Sequence, residues 1–130
     1  MYIQEHEVQK VGNEIMNMLH EDELEVINNF YEAVKSKDIE KIDELFKTLI
    51  AEIEVHFKTE EDMMEQSGYA DIGMHKSDHD VMRKKLAKFQ KRWDVLKGPK
   101  EVLNFLDKDF KKWYTGHVSK WDVSAATHLG

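Results

Sequence analysis

Five imidazoles and two carboxylates stand at spacings that suit metal ligation. His56 and Glu60 are four residues apart, as are His75 and His79. Residues four apart stack on one face of a helix, so each pair projects together. His117 precedes Asp122 by five residues, and His20 stands alone upstream. Seven such ligands are too many for one ion and suit two ions with shared carboxylates. The chain has no cysteine, which excludes disulfides, thiolate zinc sites and iron–sulfur clusters. Imidazole with carboxylate and no sulfur suits iron, manganese, zinc or copper.

The elements that must carry these residues follow from apolar periodicity. A first stripe runs through Met16, His20, Leu24, Ile27, Tyr31 and Val34, predicting a helix over 11–36, and Asp38 can cap the next one. A second runs through Ile42, Leu45, Leu49, Ile53, His56, Glu60 and Met63, predicting 38–66, broken by Ser67-Gly68-Tyr69. A third runs through Ile72, His75, His79, Met82, Leu86, Phe89, Trp93 and Leu96, predicting 71–97, stopped at Gly98. Pro99 suits the first turn of a fourth helix over 99–126, which carries Val102, Leu106, Phe110, Trp113, His117 and Trp121. Short connections between long helices make neighbours antiparallel. The expected fold is an all-α, up-down-up-down antiparallel four-helix bundle. Residues 1–130 read as one domain, with 1–10 as a short N-terminal arm.

Every candidate histidine lies within an apolar stripe, so the bundle would bury it. A single buried histidine is most simply one satisfied by a carbonyl or a neighbour. Five unpaired buried imidazoles with a carboxylate would cost more than the roughly 5–15 kcal/mol a domain has to spare. A metal removes that cost. Asp122 is the awkward member, because five residues overshoot a full turn by about 140°. Either His117 and Asp122 flank the inward seam, or a π-type turn widens the last helix there. Glu21-Asp22-Glu23 and Arg83-Lys84-Lys85 read as solvated helix faces, His6 and His128 as surface residues, and the Met and Trp stripes as packing.

Composition narrows the partners. A formal net charge of −7 argues against nucleic acid, whose phosphates need a basic surface. No run approaches a membrane span, and the first residues show no signal-peptide pattern, so a cytoplasmic protein is expected. Carboxylate-rich di-iron bundles use Glu-x-x-His motifs. This histidine-rich set compensates less charge on high-valent iron, which argues for reversible oxygen binding over oxidation of strong C–H bonds.

The chain resembles the hemerythrins, and within them the single-domain bacteriohemerythrins. The resemblance rests on His56-Phe57-Lys58-Thr59-Glu60-Glu61-Asp62-Met63, on Tyr69, on His75-x-x-x-His79, and on Trp113-x-x-x-His117-Val118-x-x-x-Asp122, with His20 and Gly12 fitting the first-helix motif. It implies a non-haem di-iron site with an oxo or hydroxo bridge. By the family pattern His75, His79 and His117 hold one Fe ion, His20 and His56 hold the other, and Glu60 and Asp122 bridge them. The second iron then has five ligands and one open position. O2 would bind there end-on as a hydroperoxide, its proton coming from the bridge. The implied function is reversible O2 carriage, storage or delivery, with no catalytic residue, an O2-consuming partner protein and a monomeric state.

Three departures qualify this resemblance. Asn17-Met18-Leu19-His20 stands where the family often has Asp-x-Gln-His, so a partner for His20 is expected to be missing. No tryptophan stands near the start, where Tyr2 is the nearby aromatic. Tyr114 occupies a position usually aliphatic, lining the oxygen pocket. Its hydroxyl either reaches solvent or a carbonyl, or stands beside bound O2. The alternatives are a di-iron peroxidase, an NO- or peroxide-processing enzyme, or an O2, redox or iron sensor domain cut from a longer protein.

Overall fold

The structure, a computed structural model, describes residues 2–129, with side chains as far as residue 127. His128, expected on the surface, therefore lies outside the described side chains; His6 is exposed. A 3-10 turn, Glu5–Glu7, sits in the arm, and three long helices follow: α1 (Glu14–Ser36), α2 (Ile39–Ser67) and α3 (Ile72–Leu96). A fourth rod runs through α4 (Pro99–Phe105), a π-turn at Leu106–Phe110, α5 (Lys111–His117), a second π-turn at Val118–Asp122, and α6 (Val123–Leu129). Backbone angles stay right-handed helical at each of these junctions, so the rod is continuous.

Local chemistry sets the ends. Asn13 opens α1 by accepting from the Met16 N–H at 3.0 Å, so the helix begins at Glu14 rather than residue 11. Asp38 opens α2 by accepting from the Lys41 N–H at 3.3 Å. Gly68 closes α2 in the left-handed region at φ 70°, and Pro99 occupies the first turn of the fourth rod. Alanine at position 68 would pay the left-handed Cβ clash, so Gly68→Ala should lose about 1–2 kcal/mol in urea unfolding.

The four rods form an antiparallel four-helix bundle. Because neighbours alternate in direction, the early parts of α1 and α3 lie at the same end as the late parts of α2 and the fourth rod. That brings His20, His56, His75, His79 and His117 to one level. Phe30, Phe46, Phe110 and Leu49 fill the interior beyond them. The stripes are shifted at their margins: Phe30 is buried where Tyr31 was expected, and Leu96 is 58% exposed because α3 ends there.

The arm is strapped down at three points. Asn28 accepts from the Ile3 N–H at 2.9 Å and donates to the Ile3 carbonyl at 3.0 Å. Asn17 does the same with Val11, at 2.9 and 2.8 Å. Tyr2 stacks on Tyr31 at 4.3 Å and donates its hydroxyl to the Leu106 carbonyl. No helix among the described residues is long and apolar enough to cross a membrane.

Candidate metal centre

The five histidines and two carboxylates meet in the bundle interior, none more than 3% exposed. All five rings turn Nε2 inward. Three of these nitrogens cluster: His117 Nε2 lies 3.1 Å from those of both His75 and His79. Glu60 Oε1 faces this group, 3.3 Å from His75 and 3.2 Å from His79. Asp122 Oδ1 faces it too, 3.0 Å from His75 and from His117. The other oxygen of each carboxylate faces the remaining pair. Asp122 Oδ2 lies 2.8 Å from His20 Nε2 and 3.6 Å from His56 Nε2. Glu60 Oε2 contacts His56 Nε2 and lies 3.7 Å from His20. The ligand atoms fall into two groups, Glu60, His75, His79, His117 and Asp122 against His20, His56, Glu60 and Asp122, each within 4.8 Å.

Asp122 reaches this place because the helix is widened there by one extra residue in the turn. A regular α-helix would set it well off the His117 face. The π-turn at Val118–Asp122 returns it to the interior, where it is 0% exposed. Of the two arrangements open for Asp122, the widened turn is the one adopted.

Carboxylates outside the cluster face three of the rings. His79 Nδ1 hydrogen-bonds Glu61 Oε2 at 2.9 Å and His117 Nδ1 hydrogen-bonds Asp78 Oδ2 at 2.5 Å, whereas His56 Nδ1 lies 2.6 Å from Glu23 Oε1 as an ion-pair contact without hydrogen-bond geometry. In its neutral form a ring that donates from Nδ1 keeps its proton there and turns a lone pair inward from Nε2. Nδ1 of His20, of His56 and of His75 has no hydrogen-bond partner among the described residues, although that of His56 faces Glu23. For His20 this agrees with the expectation drawn from Asn17, whose amide is spent on Val11.

Glu23 and Arg83 correct the reading of their segments as solvated faces. Glu23 is 1% exposed, between His56 and Tyr114. It stands three residues after His20, hence on the same helix face, and that spacing was the available signal. Arg83 donates to Glu61 at 2.8 Å. The Tyr114 hydroxyl reaches neither solvent nor a backbone carbonyl, but donates to Glu23 Oε1 at 3.1 Å. Burial and Glu23 hold its pKa well above the ordinary value. Its ring stands edge-on to His20 at 6.4 Å. Tyr114→Phe keeps that ring but strips a buried carboxylate of a donor, and should cost about 1–3 kcal/mol in urea unfolding.

The cluster demands positive charge. Burial works to keep His117 neutral, but Asp122 and Asp78 outweigh it and push its pKa up to about 9. His20, His56 and His75 are also raised, in each case because carboxylates overcome desolvation, while burial keeps His79 low. Glu60 and Asp122 are held well below the carboxylate range by these histidines against the effect of burial. Lone pairs converging at about 3 Å repel one another unless a cation lies between them, and oxygen with imidazole is a donor set for such a cation. The residues present therefore fit bound metal.

An all-helical bundle with a buried histidine–carboxylate cluster defines a metal-binding four-helix protein. Residues 11–124 match the Hemerythrin HHE cation binding domain, so the chain belongs to the hemerythrin family. It is 40% identical over 130 residues to a bacteriohemerythrin of Aquifex aeolicus, covering 100% of this chain and 99% of that one. It is 29% identical over 122 residues to a bacteriohemerythrin of Clostridium acetobutylicum, covering 88% of each. Among solved structures, a wild-type hemerythrin superposes with a TM-score of 0.81 at 22% identity, covering 99% of this chain and 97% of that one.

Proposed function

We propose that the chain holds two non-haem iron ions and binds O2 reversibly, as a carrier, store or donor to another protein. One observation carries this reading: Glu60 and Asp122 each offer one oxygen to each group of histidines. That is the arrangement two ions sharing two carboxylates require. His75, His79 and His117, with one oxygen from each carboxylate, offer five protein donors. His20 and His56, with the other two oxygens, offer four. The ion at His20 and His56 is thus the less saturated one, and a metal position short of protein ligands is where an outside molecule binds. Bound iron(II) would supply the electrons that O2 takes up and returns.

The chain's own residues support a carrier. A small cavity beneath the arm reaches His20, lined by Val8, Asn17 and Leu24 together with the charged Glu5, Lys10 and Glu21. The buried packing around the cluster keeps bulk water, and the protons it would bring, away from the donor atoms. Tyr114 stands edge-on to His20 at 6.4 Å, with its hydroxyl committed to Glu23. That commitment favours the carrier over an enzyme using Tyr114 as a proton donor. Tyr114→Leu should change the autoxidation rate of the iron-loaded protein; an unchanged rate would show that Tyr114 takes no part in the chemistry at the His20 side.

The deciding experiment is anaerobic loading with iron(II), followed by cycles of O2 and argon under visible spectroscopy. An absorption band that rises with O2 and falls under argon supports reversible binding. A single slide to a stable oxidised spectrum refutes it.

A further inference from the structure

The three histidines clustered around Glu60 Oε1 and Asp122 Oδ1 are anchored unequally. Asp78 holds His117 and, among the described residues, pairs with no lysine or arginine. Glu61 holds His79, and the same oxygen that faces His79 Nδ1 at 2.9 Å accepts from Arg83 Nη1 at 2.8 Å. Arg83 is gripped in turn. Its Nε and Nη2 donate to Glu54 at 2.9 and 3.2 Å, and Nη1 also donates to Asp80 at 2.9 Å. A second route links the same partners. The Arg83 guanidinium lies over the Phe57 ring at 5.1 Å, and that ring stacks on His79 at 4.0 Å with planes 9° apart. Arg83 therefore bears on His79 through the Glu61 oxygen and through the Phe57 ring, though it touches no ligand atom.

We propose that Arg83 is a positioning residue for the metal centre, locking the His79 ring through Glu61 and Phe57 so that the ion held by His75, His79 and His117 is retained. Glu61 is half-buried at the bundle margin, and an unneutralised carboxylate there turns toward water. His79 would then lose its Nδ1 anchor, and an imidazole free to rotate is a poorer ligand. Residues that orient ligands typically change metal affinity by about 10–100-fold when removed. Arg83 acts one contact further out, so the lower end of that range applies. Lysine can neutralise Glu61 as a point charge but cannot span Glu54, Glu61 and Asp80 with one planar fork. Its effect should fall between arginine and glutamine.

This inference rests on the two-ion reading, and zinc tests both without redox chemistry. The full chain is loaded with zinc, and release to an excess of a coloured chelator is followed over time. A His20→Ala variant identifies the phase belonging to the His20 and His56 ion. In Arg83→Gln the phase belonging to His75, His79 and His117 should quicken by about 10-fold, with the other phase unchanged, and Arg83→Lys should restore most of the slow release. A variant that merely weakened the fold would quicken both phases alike, and that result overturns the proposal. So does an unchanged rate, or equal rates for the glutamine and lysine variants. A wild-type protein that takes up fewer than two zinc ions refutes the two-ion reading itself, which stoichiometry reports separately from rate.

Discussion

Glu60→Ala should empty both halves of the centre at once. Each group of histidines loses one carboxylate oxygen, and Glu60 stands 3.2–3.3 Å from His75 and His79 on one side while contacting His56 on the other. A histidine variant behaves differently. His20→Ala removes a donor from one group alone, so it should spare the ion at His75, His79 and His117. Iron or zinc content by elemental analysis separates the two cases. Wild type is expected to hold two ions per chain, His20→Ala close to one, and Glu60→Ala almost none. Retention of one tightly held ion in Glu60→Ala would show that the carboxylate serves a single ion. The residual cost to the fold should be small in the metal-free state, since the substitution also removes a buried negative charge.

Metal removal should lower thermal stability more than any single surface substitution. The metal-free centre leaves buried lone pairs and two carboxylates facing one another with only protons to compensate. A ligand that binds only the folded state, present at a thousand times its dissociation constant, adds about 4 kcal/mol. For a chain of this length that corresponds to a rise in Tm on the order of 15 °C. Differential scanning calorimetry of the chelated and zinc-loaded protein measures it. Loaded and stripped samples melting together would mean that the cluster is stable without ions, and the electrostatic account of the site would fail. Helical content should persist after stripping, because the Phe30, Phe46 and Phe110 packing lies beyond the cluster.

Much of this was legible in the chain. Apolar steps of three and four located the helices, and the breaks at Gly68 and Pro99 located two of their connections. The four-residue spacing of His56 with Glu60 and of His75 with His79 placed each pair on one face, because side-chain direction repeats on a helix. Bundle antiparallelism then set all five histidines at one level, since short connections permit little else. These features depend on local geometry, which residue order controls directly.

Tertiary structure decided the rest. Asp122 reaches the interior only through a π-turn, and nothing in Val118-Ser119-Lys120-Trp121 announces one; the turn pairs with a second at Leu106–Phe110 within the same rod. Glu23, Glu61, Asp78 and Arg83 look like ordinary surface charges in sequence. They acquire roles because partners on other helices come within hydrogen-bonding reach, Glu23 of His56, Asp78 of His117, and Arg83 of Glu61 and Glu54. The Tyr114 hydroxyl was open to solvent, a carbonyl or the pocket until Glu23 was seen beside it. Residue order alone sets the helices and the identity of the converging donors, because periodicity is local. Which oxygen faces which ring, and which rings are anchored from behind, follows from packing between helices, because those contacts join residues dozens of positions apart.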